Sequence, residues 1–209
     1  LACGMLTFAG GVPLLRKSGQ GATAGAFLCG GLLLAAASKY WDDSLMASGV
    51  FQWDRDEIAR GEALPAWQKR EVVGIFPGQF GNVLIEKDLD QNTAYLRVGV
   101  RVEGSVPIDP AKPSLADLPT EVLLGVLPAH TCSVKGRLLI VGLGGGTTVA
   151  SAVETWDGEM VVLEIEPAVK EALLSDQGAE VFPRENDALR GRGAPQLVIE
   201  DARSYLVQS

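Results

Sequence analysis

The sequence predicts an α/β fold in the C-terminal half of the chain. Three apolar strands, at 137–141, 160–166 and 196–200, alternate with stretches of helical pattern. Strands that are apolar throughout and alternate with helices are typical of a parallel sheet covered on both faces. A glycine-rich turn directly follows the first of these strands. Together these features predict an incomplete Rossmann-like domain over residues 136–209.

The N-terminal residues have a different composition. Two uncharged apolar runs, 1–15 and 22–38, flank the basic pair Arg16 and Lys17. A membrane-spanning helix needs about 20 apolar residues, with a lower limit of about 17, and the second run just reaches that length. A cleaved signal peptide would explain only one run, and a buried hairpin in a soluble protein is the other alternative. We expect residues 1–38 to form a transmembrane helical hairpin.

Residues 39–78 combine acidic and aromatic side chains. We expect an ordered connector there, because disordered linkers carry few aromatic residues. The sequence pattern of residues 79–135 predicts a small β domain with a linking helix. Two alternating segments, 82–87 and 93–98, are separated by a short loop rich in turn-forming residues, which predicts a pair of strands.

In the second part of this small domain, the sequence predicts a loop followed by a helix. Residues 105–118 contain three prolines and are expected to be a loop. An apolar helical segment follows, which is predicted to begin at Leu118 and to end at Pro128, since proline interrupts a helix. This helix would link the β domain to the first strand of the parallel sheet.

The composition limits the kinds of partner. With 26 acidic and 18 basic residues, the formal net charge is −8. Nucleic acid is not expected as a partner, because phosphate recognition requires a basic face. The three cysteines show neither metal nor disulfide spacing, and the single histidine, His130, leaves no multi-histidine metal site. We expect no metal, and we expect His130 to lie at a helix end.

The residues with chemical potential follow the strands. The segment from Gly142 to Gly146, with glycine also at Gly144, joins the first strand directly to a helix. Glycines there permit a tight turn and the close approach of a ligand to the backbone. A ribose-binding acid is expected about 20 residues after the first glycine, and Glu164 occupies that position at the end of the second strand. These residues predict a nucleoside-binding site.

A second acid, Asp201, ends the third strand and is followed by Ala202. Because ligands bind at the carboxyl ends of such strands, Glu164 and Asp201 could serve a ribose diol and an adenine amine. Thr147 stands where the dinucleotide fingerprint has its third glycine, which favours adenosine over a dinucleotide. The alternative is structural: each acid caps the N-terminus of the helix that follows it.

The segments LLIVGLGGGTTVASAVE, VVLEIEPAVKEA and LVIEDARSYL are similar to the nucleoside-binding segments of the spermidine synthase-like family. Upstream, LRVGVRVEGS and ADLPTEVLLGVLP also resemble that family. The segment WDDSLMASGVFQWD resembles the junction in its membrane-fused branch, where several spans precede the synthase-like domain. The resemblance covers residues 39–209.

The resemblance implies a small β domain followed by the Rossmann-like fold of S-adenosyl-methionine-dependent transferases. It also implies transfer of an aminopropyl group from decarboxylated S-adenosyl-methionine to a polyamine such as putrescine. Glu164 would bind the ribose, and Glu121 would lie near the amine substrate. By position, the residues implied to bind the co-substrate are Gly142, Gly144, Gly146, Glu164, Asp201 and Ala202, the last two beside the adenine.

The sequence departs from the family's pattern at two positions. Soluble synthases usually have an aspartate inside the glycine loop that holds the donor's amine, where this chain has Gly145. They also have a glutamine near the position of Val102. Their catalytic aspartate lies on the next strand, past Ser209. We interpret the chain as cut at both ends. We assign no catalytic residue and expect residues 1–209 alone to be inactive.

Two other functions stay open. One is a methyltransferase that uses S-adenosyl-methionine itself, which the loss of the loop aspartate favours. The other is a non-catalytic nucleoside-sensing domain of a membrane transporter-like protein. Because S-adenosyl donors are kept in the cytoplasm, we expect a multi-pass protein of the inner membrane with this domain on the cytoplasmic side. The basic residues beside the apolar runs give no orientation, and a homo-oligomer stays open.

Overall fold

The computed structural model describes residues 30–31, 70–133 and 136–208. The predicted hairpin, apart from the helical pair Gly30 and Gly31, lies outside these residues, as does most of the predicted connector. The chain divides into two compact units, Leu1–Asp43 and Ser44–Ser209, and the elements described below all belong to the second. In the part of the chain that the structure describes, no helix is long and apolar enough to cross a membrane.

The first described elements form an antiparallel sheet in the order β1-β2-β3-β4. The predicted strand pair is confirmed, with Val83 opposite Val98 and Asp88 opposite Thr93. One strand lies inside the range assigned to the connector, and another extends into the range 105–118 that was expected to be a loop. The strands are β1 Arg70–Phe76, β2 Val83–Asp88, β3 Thr93–Val98 and β4 Arg101–Pro107.

Both differences have a local cause. The pairing of β1 with β2 shifts register between Val72 and Gly74, so the side chains of β1 do not alternate as in a regular strand. Pro107 can end β4 opposite Thr93 because the last residue of a strand does not need its N–H for the ladder. Prolines after a strand therefore mark its end here, not the absence of a strand.

The remaining elements build a parallel sheet in the order β5-β6-β7, which confirms the predicted parallel arrangement. The central strand β6 is buried along its whole length, whereas β5 and β7 are partly exposed. Two short helices lie in a stretch for which the sequence predicted no element. The elements are α1 Leu118–Thr131, β5 Leu138–Val141, α2 Thr147–Thr155, β6 Met160–Glu164, α3 Pro167–Leu174, α4 Asp176–Val181, α5 Pro183–Arg190, β7 Gln196–Ile199 and α6 Ala202–Gln208.

The linking helix α1 runs past Pro128, so the prediction that this proline ends the helix is wrong. Proline removes only its own N–H from the helix, and the last turn is closed by other groups. The N–H of Cys132 donates to the carbonyl of Pro128 at 3.0 Å. The hydroxyl of Thr131 donates to the carbonyl of Leu127 at 2.8 Å. His130 lies exposed in this last turn, in agreement with its predicted place at a helix end.

One hydrophobic core joins the two sheets. Val83 and Leu96 from the antiparallel sheet pack in the same cluster as Val169 and Leu173 of α3 and as Phe182, which follows α4. Burying side chains of this size contributes about 1.5–3 kcal/mol each, as an upper estimate. The core therefore holds the antiparallel sheet firmly against the carboxyl edge of the parallel sheet, where the predicted site lies.

Candidate functional site

The glycine turn between β5 and α2 has a backbone that other residues rarely adopt. Gly142, Gly144 and Gly146 have φ values of 91°, 53° and 88°, all in the left-handed region. The N–H of Gly142 donates to the carbonyl of Leu163 at 2.7 Å, and the N–H of Gly146 donates to that of Leu143 at 2.9 Å. Glycine is required at these three positions because a Cβ atom would strain the turn. The turn leads the chain directly into α2.

The fourth residue of the turn, Gly145, packs directly against β4. A Cβ atom built on Gly145 would lie 2.8 Å from the Cα of Gly104. The N–H of Gly145 donates to the carbonyl of Glu103 at 3.2 Å. A side chain at position 145 therefore has no room unless β4 moves, so the glycine that replaces the family's loop aspartate is required by the packing.

Glu164 ends β6 and is only 7% exposed. Its Oε2 accepts a hydrogen bond from the N–H of Leu143 in the glycine turn, at 2.8 Å. Its Oε1 accepts one from the N–H of Glu166, also at 2.8 Å. A carboxylate can accept about four hydrogen bonds, so further acceptor positions remain beside the turn. The structure thus joins two of the features that the sequence predicted to lie together.

The structural alternative for Glu164 is wrong, because another acid caps α3. The Oε1 of Glu166 accepts from the N–H of Ala168 at 3.1 Å, within the first turn of that helix. Its Oε2 accepts from the N–H of Phe80, in the loop after β1, at 2.8 Å. The sequence contained a signal for this role, since Glu166 directly precedes Pro167, a residue that favours the first position of a helix.

A cavity of about 680 Å³ lies beside these residues. This volume is within the usual range for small-molecule sites. Among the predicted site residues, Gly142, Gly144 and Glu164 line the cavity. Residues of the β3–β4 turn, α3 and the loop after β1 complete its wall: Phe80, Val98, Gly99, Val100, Arg101, Glu103, Ile165, Glu166 and Val169. None of these nine residues was predicted from the sequence to belong to the site.

Two charged residues of β4, Arg101 and Glu103, face the same cavity as Glu164. Burial raises the pKa of the Glu103 carboxyl, and the nearby Glu164 raises it further, whereas Arg101 lowers it. An acid responds in this way when a like charge stands close to it. The cavity therefore has carboxyl groups on two sides, one from each sheet.

The other predicted ligand residues do not line this cavity. Gly146 is the N-cap residue of α2. Asp201 is exposed, and its Oδ1 accepts from the N–H of Arg203 at 2.7 Å. This bond caps the start of α6, which is the structural role considered for Asp201. Ala202 is the first residue of that helix. Their proposed contacts with a nucleoside stay predictions.

Glu121 lies on α1 and also does not line the cavity. Burial raises its pKa, a hydrogen bond from the hydroxyl of Thr147 lowers it, and the charges of Asp117 and Glu185 raise it. The same hydroxyl donates to the buried Glu185 at 3.1 Å. The hydroxyl at the first residue of α2 therefore lowers the pKa of both Glu121 and Glu185. The proposed contact of Glu121 with an amine substrate stays a prediction.

Over residues 30–31, 70–133 and 136–208, no group of three or more histidine, cysteine, aspartate or glutamate side chains could hold a metal ion. Cys132 is free and exposed.

The fold and the site define a Rossmann-like α/β domain preceded by an antiparallel sheet. No protein-family model matches the chain, and no curated protein matches it in sequence. Solved structures do match. A spermidine synthase from Thermotoga maritima has a TM-score of 0.51 and 14% identity, and the match covers 66% of this chain and 44% of that chain.

A second solved structure is a spermidine synthase in complex with the transition-state analogue AdoDATO. Its TM-score is 0.52 and its identity is 14%, with 66% of this chain and 43% of that chain covered. The chain thus spans less than half the length of either synthase. At this identity the likeness concerns the fold, and it confirms the predicted α/β class.

Proposed function

We propose that this chain is the nucleoside-binding part of a spermidine synthase-like transferase. It binds decarboxylated S-adenosyl-methionine in the cavity beside the glycine turn. The whole protein transfers the aminopropyl group of this donor to an amine such as putrescine. The observation that carries the proposal is the position of Glu164, a buried acid that is hydrogen-bonded to the glycine turn and lines the cavity.

The local geometry suits a nucleoside. The two N–H donors of Leu143 and Glu166 hold the carboxylate of Glu164 in one orientation. Its remaining acceptor positions match the two hydroxyl groups of a ribose. Gly142 and Gly144 present backbone without side chains on the same wall, so a ligand can approach closely. The likeness in fold to two spermidine synthases supports the same proposal.

The transfer step requires more than binding. The nitrogen of the acceptor amine attacks the carbon next to the sulfonium, the carbon–sulfur bond breaks, methylthioadenosine leaves, and the amine loses a proton. A base or carboxylate must keep the acceptor amine unprotonated and in line with that bond. We assign this role to none of the described residues, and we propose that residues 1–209 bind the donor without transferring its aminopropyl group.

A second candidate, a methyltransferase that uses S-adenosyl-methionine, is favoured by one observation. The packing of Gly145 against Gly104 leaves no room for the loop aspartate that holds the donor's amine in soluble synthases. A site that binds S-adenosyl-methionine as tightly as its decarboxylated form would support this candidate. If the protein is an aminopropyltransferase, we expect the site to prefer the decarboxylated donor.

Calorimetric titration of the Glu164→Gln variant tests the site. We expect affinity for methylthioadenosine and for both S-adenosyl donors to fall by about 2–3 kcal/mol, because glutamine loses the charge and one acceptor. Glutamine also turns an NH₂ group toward an N–H donor, so the variant is expected to melt earlier, and the titration is run well below its melting temperature. Glu159→Gln, at the other end of β6 and 76% exposed, is the matched control. Unchanged dissociation constants in Glu164→Gln would refute the site.

We also propose that the parent is a multi-pass inner-membrane protein with this domain on the cytoplasmic side. The support is the pair of uncharged runs in residues 1–38 and the cytoplasmic supply of S-adenosyl donors. Digestion of residues 79–209 by a protease added outside intact spheroplasts would contradict this placement.

A further inference from the structure

We infer that Glu103 binds the positively charged tail of the donor and so selects charged over neutral nucleosides in this cavity. The inference rests on the proposed function and adds a specificity residue to it. Glu103 would supply from β4 the carboxylate that the glycine turn lacks at Gly145.

The backbone fixes Glu103 beside the turn. Its carbonyl accepts from the N–H of Gly145 at 3.2 Å. The same carbonyl oxygen lies 2.7 Å from the place that a Cβ atom on Gly144 would occupy. The next residue, Gly104, is in contact with Gly145. Glu103 is therefore the acidic residue of β4 that lies beside the position where the family has its aspartate, and it lines the cavity.

The other charges of the cavity leave Glu103 available. Glu166 is engaged with the N–H groups of Ala168 and Phe80, and Glu164 with those of Leu143 and Glu166. No hydrogen bond to the carboxylate of Glu103 is found among the described residues. Arg101 offsets part of the negative charge, and the three acids still leave the cavity wall with an excess of negative charge.

A cation between Glu103 and Glu164 would remove their mutual repulsion. Both residues belong to the wall of the cavity, and the charge of Glu164 raises the pKa of Glu103. Decarboxylated S-adenosyl-methionine carries a sulfonium and a terminal ammonium, whereas methylthioadenosine has the same nucleoside and no charge. The two ligands therefore separate recognition of the nucleoside from recognition of the tail.

The test titrates both ligands into the full chain and its variants. In Glu103→Gln we expect affinity for decarboxylated S-adenosyl-methionine to fall on the order of 10- to 100-fold, because a charge-assisted contact is lost. Affinity for methylthioadenosine is expected to change by no more than about twofold, which is well below the change expected for the charged ligand. Glu103→Asp, which keeps the charge, is expected to retain part of the preference. Arg101→Gln removes the neighbouring cation and is expected to strengthen binding of the charged ligand.

The outcomes separate the inference from the proposed function. An equal loss for both ligands in Glu103→Gln, or no loss for the charged one, would overturn the role of Glu103 and leave the nucleoside site standing. A loss in Arg101→Gln as large as in Glu103→Gln would also overturn it, because it would point to packing and not to charge. If the wild-type chain binds neither ligand, the proposed function fails. Melting curves of each variant show whether the fold is kept, and Glu159→Gln again controls for the loss of one acid.

Discussion

The backbones of Gly104 and Gly145 lie against each other where β4 meets the glycine turn. A Cβ atom on Gly104 would lie 2.3 Å from the Cα of Gly145, closer than real Cβ atoms approach a neighbour. The two sheets therefore meet through bare backbone at this point. The contact brings the neighbouring residue Glu103 to the wall of the cavity.

The first prediction concerns this contact. Gly145→Asp, which restores the aspartate of the family's pattern, is expected to lower the free energy of unfolding by about 1–3 kcal/mol, because overpacking forces the backbone apart. Urea denaturation measures the change. Gly136→Ala is the matched control, since a Cβ atom there meets nothing within 4 Å, and we expect a change within about 0.5 kcal/mol. If the unfolding curve of Gly145→Asp matched that of the wild type, the contact would be looser than described.

The second prediction concerns the cap of α3. Glu166→Ala removes the acceptor for the N–H of Ala168 and for that of Phe80. We expect a loss of about 1–2 kcal/mol in the free energy of unfolding, the cost of removing a helix cap. Glu171→Ala, at an exposed position of the same helix, should change it by no more than about 0.5 kcal/mol. Equal effects of the two substitutions in urea denaturation would contradict the capping role.

The third prediction concerns the dependence of stability on pH. Burial raises the pKa of Glu185 above its ordinary value of 4.5, although its own N–H, the hydroxyl of Thr147 and Arg184 oppose this. An acid with a raised pKa binds more protons in the folded than in the unfolded state, so stability falls as the pH rises from the unfolded pKa through the folded one. Glutamine has no proton to lose, so we expect the stability of Glu185→Gln to lack this part of the decrease with rising pH.

The measurement is the free energy of unfolding in urea from about pH 4 to about pH 8, for the wild type and for Glu185→Gln. Burial also raises the pKa of Glu86 and Glu121. Both acids are present in both proteins, but the charge of Glu185 also raises the pKa of Glu121, so the difference between the two curves reports Glu185 together with its effect on Glu121. Parallel curves would mean that Glu185 does not contribute.

The fourth prediction concerns residues 1–38. The full chain is expected to stay with the membrane pellet after carbonate washing and ultracentrifugation, because two uncharged apolar runs favour insertion. A chain that lacks residues 1–38 is the control and is expected to be released by the wash. Release of the full chain would refute the hairpin.

The sequence was informative where backbone and spacing restrict the choice. Four glycines among the five positions 142–146 predict a tight turn, and three of them, Gly142, Gly144 and Gly146, have positive φ. The place of Glu164 beside the turn follows from the regular length of one strand–helix–strand unit. The helical stretches predicted between the strands are present as α2 and α3.

The rest depended on contacts that a sequence does not display. Glu103 reaches the cavity because β4 packs on the glycine turn through Gly104, a tertiary contact between residues far apart in the chain. Glu166, and not Glu164, caps α3, which the spacing of acids alone could not decide. The short helices α4 and α5 were missed because they are too brief to show a helical period.

The two bonds of Glu166 also join the loop after β1 to the first turn of α3. One carboxylate oxygen holds the amide of Ala168 and the other holds that of Phe80. The loop after β1 therefore cannot swing away from the cavity without releasing an acceptor that also fixes the first turn of α3. In hydrogen–deuterium exchange, the amides of Phe80 and Ala168 are expected to lose protection in one shared opening event, although the two residues lie 88 positions apart in the sequence.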